Sequence, residues 1–424
     1  MTKYIGNSLT DCKQTLKMLN LENKADVWLT NWNFSNKYQP RKFPFFEEAF
    51  IRENISWLGM SDEILSAFLD SRAKFYNNAA LQRLFWHCYS LLFVSTRNLI
   101  HEIHHWPMIP EDSCECADMF YAFVFLAGLP KIRGIHRQKM IPEDISKDTL
   151  SDFELWMNEH RKKTGKWGFS QIGWLVNHFS CELFKLGRLQ FQFHRCDFDI
   201  YAFRNKIDGR TIVVSADGAR FRDDGQYDGA NNIFDTENCR VARFSQTEDF
   251  VIGNFISPLG IAKNKEIKLS KSDWQLALQK GDPVLAVHIP ATGPMSHSLC
   301  GESFKRALDF FPKYFPGYKF QAFTCVSWLL DYQLEQYLPN ESNIVKFLRE
   351  FYLLPLFEAN DKQTFERVFG RKYENIDEMP QNTSLQRAIV THCRAGGHWR
   401  DAAMIYFPQD VKFWGQTVYR RQIQ

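Results

Sequence analysis

The stretch Pro283-Val-Leu-Ala-Val-His-Ile-Pro-Ala-Thr-Gly-Pro-Met-Ser-His-Ser298 decides how the second half of this chain folds. Val284, Ala286 and His288 alternate with Leu285, Val287 and Ile289, and Pro290 halts the run, which reads as a largely buried strand with an abrupt end. Small residues follow: Ala291, Thr292, Gly293, Ser296 and Ser298. Cys300, Phe304, Ala307, Leu308 and Phe311 then recur at helical spacing. A strand, a small-residue loop and a helix N-terminus make an anion site, because unpaired backbone N–H groups and the positive end of the helix dipole point the same way. A pyrophosphate fits such a site. A second strand lies in Lys319-Phe-Gln-Ala-Phe-Thr-Cys-Val-Ser-Trp-Leu-Leu-Asp331.

The 424 residues suffice for two domains, each with its own core. Hydrophobic residues at 45% and charged residues at 24% exclude a mostly disordered chain. With 52 basic against 49 acidic residues, the net charge of +3 implies no strong field for nucleic acid or an anionic membrane. The opening residues lack the pattern of a signal peptide, and apolar stretches such as Tyr89 to Val94 are too short to span a bilayer, which points to the cytoplasm. Ten scattered Cys read as reduced thiols, with Cys114-Glu-Cys116 the one close pair.

From Glu47 to about Lys163 helical periods dominate: Ile64, Phe68 and Leu69, then Leu81, Leu84, Phe85 and Cys88, then Met119, Phe123 and Ala127. Asp152 to His160 reads as an amphipathic helix that Lys162-Lys-Thr-Gly-Lys166 ends, and another helix is expected from Ile172 to about Leu186. The boundary falls near residue 165. Beyond Leu189 the period becomes two, in Leu189-Gln-Phe-Gln-Phe-His-Arg195, Asp199 to Phe203 and Arg210 to Ser215, while Phe221 to Glu237 reads as a loop. Further strands are expected near Phe250 to Ile256, Phe347 to Leu354 and Ala403 to Phe407, with a helix from Tyr332 to Leu338. The fold class is α+β: a helical domain over 1–165 and a mixed-sheet domain over 166–424.

The runs Glu182-Leu-Phe-Lys-Leu-Gly-Arg-Leu-Gln-Phe191, His288-Ile-Pro-Ala-Thr-Gly-Pro294, Ala322 to Asp331, Leu338-Pro-Asn-Glu-Ser-Asn-Ile-Val345, Leu385-Gln-Arg-Ala388 and Arg394-Ala-Gly-Gly-His-Trp399 carry a resemblance. The chain resembles the bacterial two-domain acyltransferase-like family in which a helical N-acyltransferase N-terminal domain precedes a GNAT-like C-terminal domain. That resemblance implies an acyl-CoA-dependent N-acyltransferase, using acetyl-CoA or another acyl-CoA as co-substrate and a small-molecule or peptide amine as acceptor. The cofactor is then expected where Val284 to Ile289 and Phe320 to Leu329 splay apart, against Ile289, Ala291, Thr292, Gly293, Met295, Ser296, Ser298 and Asn343. Attack of an amine on a thioester needs a base, oxyanion donors and an acid for the thiolate. His288, His297 and Glu302 are the base candidates, and Cys325, Ser327 and Tyr332 serve the thiolate side.

Each also has an ordinary reading. His288 fits a satisfied core histidine, Cys325 a small buried hydrophobe, Glu302 a complement to the helix dipole, and Ser342 with Asn343 a turn after Pro339. The usual GNAT pyrophosphate loop, Gln/Arg-x-x-Gly-x-Gly/Ala, is replaced by Ala291-Thr-Gly-Pro-Met-Ser296, in which Pro294 cannot donate. A catalytically degenerate binding protein is one rival, as is Cys325 acting as a nucleophile with His398 or His288. Arg394-Ala-Gly-Gly-His-Trp-Arg400 is a second anion-site candidate whose ordinary reading is a turn. His101-Glu-Ile-His-His105 satisfies the zinc-peptidase motif, with His101 and His105 as ligands and Glu102 as base, although Trp106 and Pro107 end the helix at once.

Overall fold

The structure, a computed structural model, describes residues 11–29, 31–36, 40, 43–95, 103, 106–235, 237–371 and 375–423. Contacts divide the chain into units 1–185 and 186–424. In the first, helical periodicity becomes helices Glu48–Leu58, Asp62–Tyr76, Ala79–Tyr89, Phe120–Gln138, Glu143–Leu150, Asp152–Thr164 and Ile172–Phe179. Ser61 and Asn78 cap two of them by accepting from the Ile64 and Leu81 amides, and Gly165 ends another in the left-handed region. Their apolar stripes meet in an aromatic core, in which Phe75 lies 4.4 Å and Phe68 4.9 Å from Phe123 between ring centroids.

The helical unit runs past the boundary expected near 165 because Phe169, Ile172, Leu175, Val176 and Phe179 bury their side chains in that same core. The helix expected to continue to Leu186 stops at Phe179, and Leu183–Leu186 is a strand. Cys181, at φ 61°, turns the chain out of the helix. Leu183 and Leu186 suit either period, so only this break separates the two readings.

The second unit supplies the remaining strands. After β1 (Leu183–Leu186), these are β2 (Leu189–Arg195), β3 (Ile200–Asn205), β4 (Thr211–Ser215), β5 (Arg220–Phe221), β6 (Arg240–Val241), β7 (Phe244–Gln246), β8 (Phe250–Ser257), β9 (Ile261–Ser270), β10 (Trp274–Gln279), β11 (Pro283–His288), β12 (Ala322–Ser327), β13 (Tyr352–Leu354) and β14 (Ala402–Tyr406). One sheet has the order β1-β2-β11-β12-β14-β13, and a second the order β10-β3-β4-β8-β7 with β9 paired to β8. Tyr352 ties the two together, its hydroxyl donating to the Ile256 carbonyl and accepting from the Val213 amide. Of the expected 347–354 strand only Tyr352–Leu354 is extended, because Asn343–Leu348 is helical.

One face of the first sheet is covered by helix His297–Tyr314, whose Phe304 packs 5.7 Å from Phe191 and 5.0 Å from Phe323. Side chains alternate along a strand, so Phe191, Phe193, Phe323 and Cys325 face this helix. Gln190, Gln192, His288, Thr324 and Val326 face the other way. Among the described residues no helix is long and apolar enough to cross a membrane.

Candidate active site

β11 and β12 are parallel and pair only at Val284 with Ala322, Leu285 with Phe323 and Ala286 with Thr324. Beyond that point each follows its outer neighbour. Val287 and His288 stay paired to Phe191 and Gln190 of β2, while Cys325, Val326 and Ser327 pair with Met404, Ala403 and Ala402 of β14. The two strands part at their C-terminal ends, and their facing edges leave backbone groups open to a ligand.

The loop leaving β11 is held from outside. Arg188, in the turn between β1 and β2, donates from Nη1 to the Pro290 carbonyl at 2.8 Å, from Nη2 to Gly293 at 3.0 Å and from Nε to Pro294 at 3.1 Å. A trans peptide points its N–H opposite to its carbonyl, so the amides of Ala291 and Met295 turn away from the guanidinium. Pro294 has no N–H to offer, and its carbonyl is among those Arg188 collects. Gly293 sits at φ 95°, a backbone that side chains disfavour. Ser303 fastens the turn to the helix: its hydroxyl accepts from the Arg188 amide at 2.9 Å and donates to the Leu299 carbonyl at 2.9 Å.

The helix N-terminus is locked as well. His297 Nε2 lies 2.9 Å from Glu350 Oε1, and its ring stacks on Trp414 at 4.8 Å. Trp414 Nε1 donates to the His297 carbonyl at 3.1 Å, and the Gly415 amide to Glu350 Oε2 at 3.0 Å. Glu350 is buried, and burial holds its carboxyl above the usual range. Gly301 lies under the same indole: a Cβ there would meet Trp414 at 2.6 Å. His297, a base candidate by sequence, is thus engaged in structure.

The other expected residues separate. His288 Nε2 lies 2.9 Å from Gln192 Oε1 on the face away from the helix. Cys325 is buried on the opposite face, and burial pushes its thiol up to about 12. A nucleophilic pair of Cys325 with His288 is therefore overturned, since the sheet stands between them and the thiol stays neutral. Ser327 spends its hydroxyl accepting from the Leu329 amide at 3.2 Å. Tyr332 is half-buried, with its phenol raised by burial. Ala291, Thr292, Gly293 and Ser298 are exposed, Ile289, Met295 and Ser296 half-buried. Glu302 is exposed on the helix, and Asn343 exposed at the first position of Asn343–Leu348.

Arg394 to Arg400 is a turn whose ends are committed: Arg394 pairs with Asp377 at 2.7 Å, and the Arg400 amide donates to Asp331 at 3.0 Å. His101, Glu102 and His105 lie outside the described residues. Among the described residues no three His, Cys, Asp or Glu gather as a metal site. Arg188 was within the run that carried the family resemblance, yet it drew no role, because which carbonyls a guanidinium meets is a tertiary fact.

A splayed parallel pair, a loop at its end and a helix N-terminus define the GNAT-like class. Residues 183–405 match the family described as GNAT-like C-terminal domain, and residues 49–181 the one described as N-acyltransferase N-terminal domain. The chain belongs to this two-domain acyltransferase family. Among solved structures, it resembles an acyltransferase in complex with decanoyl-CoA and teicoplanin, at 22% identity and a TM-score of 0.63, over 93% of this chain and 99% of that one. It also resembles an acyltransferase mutant in complex with octanoyl-CoA, at 21% identity and a TM-score of 0.61, over 94% and 99%. At these identities the likeness is one of fold. No curated protein matches the chain.

Proposed function

We propose that the chain moves an acyl group from an acyl-CoA to an amine. The observation that carries this reading is the Arg188-held loop at the mouth of the β11–β12 splay. With three carbonyls gathered on one side, the amides of Ala291 and Met295 and the first turn of helix His297–Tyr314 remain for a pyrophosphate. This answers the missing glycine of the usual loop: an arginine outside the loop orients it instead. Relatives in fold that hold octanoyl-CoA and decanoyl-CoA support the same cofactor class.

In the reaction, His288 takes a proton from the acceptor ammonium, and the freed amine attacks the thioester carbonyl carbon. The C–N bond forms, the C–S bond breaks, and the departing thiolate takes the second amine proton. Backbone amides on the open edge of the splay hold the developing oxyanion. Cys325, neutral and buried on the helix side, does not act as nucleophile. Calorimetric titration of the full chain with CoA and octanoyl-CoA tests the reading. Saturable binding supports it, and no binding of either at millimolar concentration sinks it.

A further inference from the structure

On the sheet face turned away from helix His297–Tyr314 lies a cleft of about 870 Å³ whose wall includes Val326, at the open end of the splay. Its size suits a small molecule. Six carboxylates line it, Asp197, Asp199, Asp217, Asp228, Glu358 and Asp401, against the guanidinium of Arg220. Asp199 is held by Lys280 at 2.7 Å and Asp228 by Arg220 at 3.5 Å. Among the described residues the other four make no ion pair with a Lys or Arg within 4.0 Å, although Asp197 lies near His194 and feels Lys280.

Asp401 differs from the rest. It is only 6% exposed, yet its Oδ1 makes no hydrogen bond. Burial, and after it the neighbouring carboxyls of Asp331 and Asp361, raise its pKa to about 6. It directly precedes β14, whose Ala402 pairs with Ser327 at the end of β12. An enclosed carboxylate without a counter-charge destabilises the fold, and such groups concentrate where a ligand completes them.

We infer that this cleft binds the acceptor, and that the acceptor carries at least two ammonium groups, one drawn to Asp401 while another reaches the open end of the splay. The transfer to that second amine rests on the acyltransferase reading; the binding does not. Clustered negative charge in a concave wall also concentrates such a cation near the thioester.

Spermidine, with hexylamine as the single-ammonium comparison, is the probe, titrated calorimetrically into the full chain without acyl-CoA. Saturable spermidine binding, at least tenfold tighter than hexylamine, is expected. Asp401→Asn should weaken it at least tenfold while the thermal midpoint holds or rises, because an unpaired buried charge has been removed; a purely structural carboxylate would lower the midpoint instead. Glu358→Lys, on the exposed rim, should weaken binding at least fivefold with the fold untouched. Spermidine that fails to saturate the unaltered chain, or binds both variants within twofold of it, overturns the inference. A parallel titration with octanoyl-CoA separates the two readings. Cofactor binding without spermidine binding overturns only the cleft, and spermidine binding without cofactor binding overturns only the transferase.

Discussion

The two faces of the β1-β2-β11-β12-β14-β13 sheet treat their polar groups in opposite ways. On the helix side, Arg188 satisfies three loop carbonyls, Ser303 pins the turn, and Glu350 holds His297 and Gly415. On the far side, four carboxylates of the cleft make no close Lys or Arg ion pair among the described residues, and one of them, Asp401, is enclosed. The first face is organised before any ligand arrives; the second is left for a ligand to complete. A cofactor common to every turnover suits the former, and an acceptor that selects by charge suits the latter.

Four changes would break or sharpen this contrast. Glu350→Ala should act most strongly, costing about 3 to 5 kcal/mol of stability by removing the buried carboxylate that accepts from both the half-buried His297 ring and the Gly415 amide. Denaturant unfolding measures it, and a loss under about 1 kcal/mol would mean the helix start is held by other contacts. Arg188→Gln should weaken octanoyl-CoA binding about 100-fold, the worth of several charge-assisted hydrogen bonds, while leaving octanoyl-pantetheine, which lacks the pyrophosphate, nearly unaffected. Equal losses for both ligands would place Arg188 elsewhere in the mechanism.

Asp401 supplies the third. Its folded-state pKa of about 6 lies above the ordinary 3.8, so the folded chain binds this proton more tightly than the unfolded one. The resulting stability is complete below about pH 4 and lost as pH rises through about 6, on the order of 3 kcal/mol. Asp401→Asn should flatten that part of the pH–stability curve, and an unchanged slope would count against a buried, unpaired carboxylate. Gly293→Ala should be mildest. No atom lies within 4 Å of the added Cβ, but φ of 95° costs about 1 kcal/mol for a side chain, read as a small drop in CoA affinity with little change in melting.

Much of the centre was legible in the sequence because each signal there was local. Alternation fixed β11, Pro290 its end, and helical spacing the helix after it; the splay followed from the family resemblance. β9 and β10 were not anticipated, since Lys263, Asn264, Lys265 and Glu266 break the apolar alternation of a strand that is largely exposed. Such strands are stabilised by pairing, which spacing along one chain does not encode. The site was legible as a place and less so as a set of groups. Arg188 and Asp401 each act through residues distant in sequence, and the burial of Cys325, which favours its reading as a small buried hydrophobe, and the Glu350 partner of His297 are likewise tertiary facts.

Trp414 and Gly415 carry a further consequence. They belong to a segment that follows the last strand of the sheet, yet they lock the first turn of the helix on which the loop ends. During synthesis, every strand has therefore emerged before the residues that complete this helix start. A chain cut between Phe407 and Asp410 retains every strand but loses the indole and the amide that lock the helix start, along with the Asp410 partner of Arg204, so this helix start is completed last.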